Sequence, residues 1–315
     1  MPTDTDGAWP ELPYAAWKDT CATLHLWTQV VGKLRLALTP WLNHCWHVAL
    51  YVTARGLTTS PIALGNRDLA IDFDFVDHVL WLRLSDGGFR RIGLKPMPVA
   101  EFYSKVMQAL SELGIAARIN EMPNEIPGAV PFSQDRTHAS YDRDFAGRFH
   151  RVLLRAHEVL AHFRTGFLGK SSPVHFFWGS FDLAVTRFSG RKAPPHPGGV
   201  PGLPDAVARE AYSHEVSSAG FWPGGRAIDY PAFYSYAYPA PEGFAAALVR
   251  PDAAFWSKEL SEFILPYDAV RTAKTPEVTL MQFLQSTYEA SADLGKWDRA
   301  ALECGLGERA KVRVV

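Results

Sequence analysis

Between Trp17 and Leu38 the side chains Trp17, Thr20, Leu24, Trp27, Val31, Leu34 and Leu38 recur at alternating spacings of three and four. That period puts them on one face of a helix, and the face has to be covered by other parts of the chain. Thr39-Pro40 closes the helix, because a residue before proline is pushed out of the helical region. The period then changes. His47 to Leu57 is rich in β-branched and aromatic residues and predicts a strand. Ile71 to Phe75 alternates strictly, and Val79 to Leu84 predicts a second strand ending at the hairpin signal Asp86-Gly87-Gly88. Phe102, Val106, Ala109, Leu110 and Leu113 form a second helical stripe, ended by Gly114.

After residue 121 the text loses its period. Met122 to Tyr141 carries Pro123, Pro127, Gly128 and Pro131, which predicts an extended connector over 122–141. The earlier order then restarts. Phe149 to Phe163 is a helical stripe, His175 to Phe188 predicts one long strand, and Pro194 to Pro204 predicts an exposed, mobile loop. Strands follow around Tyr212 to Phe221 and Phe233 to Tyr238, and Leu280, Phe283, Leu284, Thr287 and Tyr288 mark a last helix. The expected class is therefore α+β, with two related halves of helix, antiparallel sheet and helix over 1–121 and 142–315, packed as one unit. An internal duplication is supported by two short matches: Leu50-Tyr51-Val52-Thr53 with Leu183-Ala184-Val185-Thr186, and Glu101 to Gly114 with Gln282 to Gly295. One mixed α/β domain with coincidental order is the alternative.

Composition narrows the function classes. Of 315 residues, 47% are hydrophobic and 13% aromatic, enough apolar material for a large core and too much for a disordered chain. Thirty-two Lys and Arg against 33 Asp and Glu leave a net charge of −1, which gives no long-range attraction to nucleic acid or an anionic membrane. Cys21, Cys45 and Cys304 form no CxxC pair, so neither a disulfide framework nor a thiolate zinc knuckle is expected. Met1 to Pro10 lacks the charge-then-apolar pattern of a signal peptide, and no apolar run approaches the ~20 residues of a membrane span. The expectation is a cytoplasmic protein with a small-molecule ligand and neither nucleic acid nor membrane as partner; its oligomeric state is left open.

Several apparent motifs fail on spacing. Gly169-Lys170-Ser171 resembles the end of a P-loop, but Arg164 stands where the first glycine belongs and a helix precedes it. His157 and His162 are five apart, about 140° around a helix, too far round to share a metal easily. GxSxG and GxGxxG are absent. No cofactor is predicted from these, although a metal ion remains an open possibility.

What remains is a set of ionisable groups embedded in apolar text. His44 and His47 accompany Tyr51 and Arg55; His175 accompanies Trp178 and Asp182; His214-Glu215 opens a strand; and His25 and Gln29 lie one helical turn apart. On strands, His47, Tyr51 and Arg55 should share a face, as should Trp178 and Asp182, with His175 and Arg187 on the opposite side. His47 and His175 read first as hydrogen-bonded structural histidines, and His25 with Gln29 as a surface face off the stripe. Asp182, between Phe181 and Leu183, is costly unless paired by Arg55, Arg187 or a histidine, or placed in a water-filled site. Trp178 and Trp222, beside Gly179 and Gly220-Phe221, suit the walls of a flat-ligand site, against the simpler reading as core.

The blocks Leu24 to Gln29, Tyr51 to Leu57, His175 to Asp182, Tyr212 to Glu215 and Leu265 to Asp268 resemble an uncharacterised bacterial family, the domain-of-unknown-function family five-nine-nine-six. The resemblance covers nearly the whole chain. It implies membership and no mechanism, since that family carries no assigned activity. Cys45-Trp46-His47 departs from the family pattern, in which a second Trp and a non-His residue are expected, and this weakens His47 as a shared catalytic group.

Three readings follow. The first is an enzyme acting on a small polar or aromatic molecule between the halves. His175 or His214 would be its acid/base, oriented by Asp182 or Glu215, and His25, Gln29, Tyr51, Arg55, Trp178 and Trp222 would bind substrate. Arg55 hints at an anionic group. The second is a mononuclear zinc or non-haem iron site drawn from His25, His175, His214 and Glu215. The third is a non-catalytic binding protein using the same pocket.

Overall fold

A computed structural model describes residues 8–200, 202–225 and 228–313. Met1 to Gly7, at the start of the segment read for a signal peptide, and Pro201, in the loop expected over 194–204, lie outside them. The first half consists of helix α1 (Tyr14–Leu38), strands β1 (Tyr51–Thr53), β2 (Gly56–Thr58), β3 (Ile62–Leu64), β4 (Arg67–Asp74), β5 (Val79–Leu84) and β6 (Phe89–Gly93), and helix α2 (Val99–Glu112). The six strands form one antiparallel sheet ordered β1-β2-β4-β5-β6, with β3 on β4. The second half opens with helix α3 (Arg143–Thr165), then β7 (His175–Phe177), β8 (Asp182–Lys192), short helix α4 (Asp205–Ala211), β9 (His214–Trp222) and β10 (Ala232–Tyr238). It ends with β11 (Phe255–Ser257), β12 (Glu262–Pro266) and helices α5 (Tyr267–Arg271), α6 (Pro276–Leu294) and α7 (Arg299–Leu302). Its sheet is antiparallel as well, ordered β11-β12-β10-β9-β8-β7. The chain is α+β, with no helix among the described residues long and apolar enough to cross a membrane.

One apolar core runs through both halves, from Trp9 and Trp27 to Phe102, Phe149, Phe221 and Tyr288. The sheets touch through their first strands: Leu50 N–H donates to Phe176 O at 2.8 Å and Phe176 N–H to Leu50 O at 2.7 Å. The duplication itself is not confirmed. Leu50–Thr53 leads into a three-residue edge strand, whereas Leu183–Thr186 lies inside an eleven-residue strand with neighbours on both sides. The paired glycines also differ, since Gly114 turns left-handed at φ 71° while Gly295 keeps φ −75°.

Two expected long strands are hairpins instead. His47 to Leu57 bends at Ala54-Arg55 between β1 and β2, leaving His47 outside the sheet. His175 to Phe188 folds back at 178–181, where Phe181 takes φ 59°. That reversal changes the expected faces: His175 pairs with Ala184 and Phe177 with Asp182, so His175 stands on the side of Asp182 instead of opposite it. The surface expected for His25 and Gln29 is likewise absent, because α1 is packed on nearly every side and Gln29 is fully buried.

Candidate functional site

The connector is fastened from α1. Gln29 Nε2 donates to Asn124 O at 2.9 Å and accepts at Oε1 from Asn124 N–H at 2.7 Å, as a neighbouring strand would. Lys33 Nζ donates to Met122 O at 2.6 Å, and burial pulls its pKa down to about 8. His25 stacks on Phe181, and its Nε2 lies 2.9 Å from Gly179 O. These contacts deliver Glu125 to the outer face of the second sheet. There it sits between two glycines, where a Cβ on Gly179 would lie 2.6 Å from its Oε1 and one on Gly202 would lie 2.4 Å from its backbone nitrogen.

On that face the pleat aligns Asp182 from β8, Ser218, Gly220 and Trp222 from β9, Tyr234 and Tyr236 from β10, and Glu262 from β12. The hydroxyls of Ser180 and Tyr234 donate to separate oxygens of Asp182, which is 4% exposed. Gly220 leaves room for the Tyr234 hydroxyl, since a Cβ there would lie 2.5 Å from it. Tyr212 and Tyr236 share a hydrogen bond of 2.9 Å between hydroxyls, and Trp222 stacks on Tyr234 at 4.4 Å. Burial raises Tyr212, its hydrogen bond with Tyr236 works against the rise, and the charges of Glu262, Asp182 and Glu125 add to it. Glu262 is pushed up to about 8, first by burial and then by the charge of Asp182. Its Oε2 is buried with no hydrogen-bond partner among the described residues, as is Trp222 Nε1. Beside the cluster, His196 stacks on Tyr212 at 4.8 Å and Asn124 Nδ2 donates to Gly202 O at 2.8 Å.

The remaining expected site residues are dispersed. His175 is wholly buried beside Trp46 and Phe177; neither ring nitrogen has a described partner, and burial lowers its pKa to about 3. His214 meets Ser213 Oγ at 3.1 Å and the ring of His44. Glu215 turns to the other face, binding Arg191 at 2.6 Å beside a hollow of about 150 Å³. Arg55 is paired with Asp74 at 2.6 Å and Asp77 at 2.7 Å. Tyr51 lies under Arg35. Trp178 donates from Nε1 to Val48 O at 2.8 Å and packs on Gly32, so it does not share a wall with Trp222. Arg187 points to the helices, over the rings of Phe163 and Tyr288. Among the described residues no three His, Cys, Asp or Glu side chains are grouped to hold a metal ion.

Sequence reasoning brought forward Asp182 and Trp222 but missed Glu262, Glu125, Tyr212, Tyr234 and Tyr236. One signal was present: Tyr234, Tyr236 and Tyr238 alternate, a polar aromatic stripe on one face of a strand.

The comparison with known families decides membership. The chain belongs to the DUF5996 family. That family is described as one of unknown function, and its match runs over residues 9–304. No curated protein and no solved structure matches the chain.

Proposed function

We propose that the protein is an enzyme acting on a small polar or aromatic molecule by acid–base chemistry at the Asp182–Glu262–tyrosine cluster. The observation that carries this is the buried Oε2 of the half-buried Glu262, which has no hydrogen-bond partner among the described residues and feels the charge of the buried Asp182. Two carboxylates in one low-dielectric site do not ionise alike, and the one held protonated serves as an acid while the other accepts. Glu262, up near 8, is the proton donor at neutral pH. Asp182, receiving the hydroxyls of Ser180 and Tyr234, is the accepting or orienting group. Trp222 and the tyrosines supply flat apolar faces and hydroxyl donors for the substrate. Entry requires His196 to lift from Tyr212. We place the protein in the cytoplasm, where Cys21, Cys45 and Cys304, all free, stay reduced.

The test is to incubate the protein, Glu262→Gln and Asp182→Asn with a bacterial small-molecule extract, and to identify retained and transformed compounds by mass spectrometry. A compound transformed by the parent and retained unchanged by Glu262→Gln supports the reading. Equal retention and no transformation by all three proteins rejects it. Retention by the parent alone, without transformation, favours a binding protein at the same cluster.

A further inference from the structure

A separate groove lies on the first sheet, in elements that contribute nothing to the cluster above. Edge strand β6 and helix α2 flank a groove of about 360 Å³ whose lining includes Arg90, Arg91, Lys95 and Lys105 against one carboxylate, Glu112. Ile92, Met97 and Ala109 form an apolar floor, at 7%, 3% and 6% exposure. Two of the cations are engaged: Arg90 with Glu112 at 2.6 Å, and Lys105 with Glu101 at 3.5 Å. Arg91 and Lys95 are exposed and have no described acidic partner.

The backbone adds donors of its own. Leu84 N–H donates to Gly88 O and Leu94 N–H to His78 O, which fixes the alternation along β6: residues 90 and 92 bond inward to β5. The N–H groups of Arg91 and Gly93 therefore point away from the sheet, and no described group accepts from them. Gly93 has no side chain to screen its own N–H, and a Cβ there would meet nothing within 4 Å. Charged side chains at a sheet edge also discourage edge-to-edge pairing. That role alone does not call for Lys95 and Lys105, which lie off the strand and close the same groove.

We propose that this groove binds a small polyanion, a molecule presenting a phosphate or polycarboxylate group to Arg91, Lys95 and the two edge N–H groups. Cationic side chains and outward backbone donors suit an oxyanion, and the volume lies in the range of small-ligand sites.

Calorimetric titration of the full chain with inorganic pyrophosphate and, separately, with citrate tests it at low and at physiological salt. Saturable binding of either anion, weakened by salt and at least tenfold weaker in R91A/K95A, supports the proposal, and the anion that binds identifies the group. Gly93→Asp, a substitution into open space, should weaken the same binding equally by placing a carboxylate at the edge donors. Failure of both anions to bind at millimolar concentration overturns the proposal. So does binding that neither variant alters.

Discussion

Glu262→Gln should make the protein more stable at neutral pH. A glutamate whose folded pKa lies above its unfolded value is protonated in the native state and ionised in the unfolded state across the interval between them. Stability then falls as pH rises from 4.5 to about 8. Over those 3.5 pH units, at about 1.36 kcal/mol per unit, the loss approaches 5 kcal/mol. Relaxation around the ionised group makes this an upper figure. Glutamine resembles the protonated acid and does not titrate. The parent and Glu262→Gln should therefore match near pH 4, while the variant should be ahead by roughly 2–3 kcal/mol at pH 7. Urea unfolding at half-unit steps from pH 4 to pH 9 measures the difference, which should widen steadily and level off above about 8. Parallel curves, or a variant less stable at pH 7, would refute a native Glu262 held protonated. The comparison also bears on mechanism, because an acid held protonated at a cost in stability is what a catalytic donor needs.

His175, neutral and lowered to about 3 by burial, should do the reverse: stability is lost as pH falls below about 6.5, and His175→Phe should remove that loss from the acid limb of the same urea series. Gly220→Ala places a Cβ 2.2 Å from Leu183 O and 2.5 Å from the Tyr234 hydroxyl. It should lower stability by roughly 1–3 kcal/mol and shift the Glu262 titration followed by carboxyl infrared absorption; an unchanged titration would separate Tyr234 from the carboxylates. Gln29→Ala removes both hydrogen bonds to Asn124 and should cost about 2–4 kcal/mol, with faster proteolysis in 122–131; unchanged cleavage would show the connector is held elsewhere.

The sequence by itself determined the four long helices and the class. The spacing from Trp17 to Leu38, the stripe from Phe149 to Phe163 and the turn at Asp86-Gly87-Gly88 are local signals, readable because one element satisfies its own backbone and exposes one apolar face. It also marked Asp182 as an anomaly, since a carboxylate in apolar text requires partners whatever the fold. It could not say which partners. Phe181 at φ 59° breaks the apparent strand from His175 to Phe188, and a single reversal moves His175 to the other face. Tyr234 and Glu262 lie 52 and 80 positions beyond Asp182, and only the pairing of β8, β9, β10 and β12 brings the three onto one face. Arg55 reads equally well as a ligand-binding cation or as half of an ion pair, and only the fold shows its ion-pair partners, Asp74 at the end of β4 and Asp77 in the turn after it. Charge and burial at a site depend on neighbours distant in sequence, and those are fixed only when the sheets close over the common core.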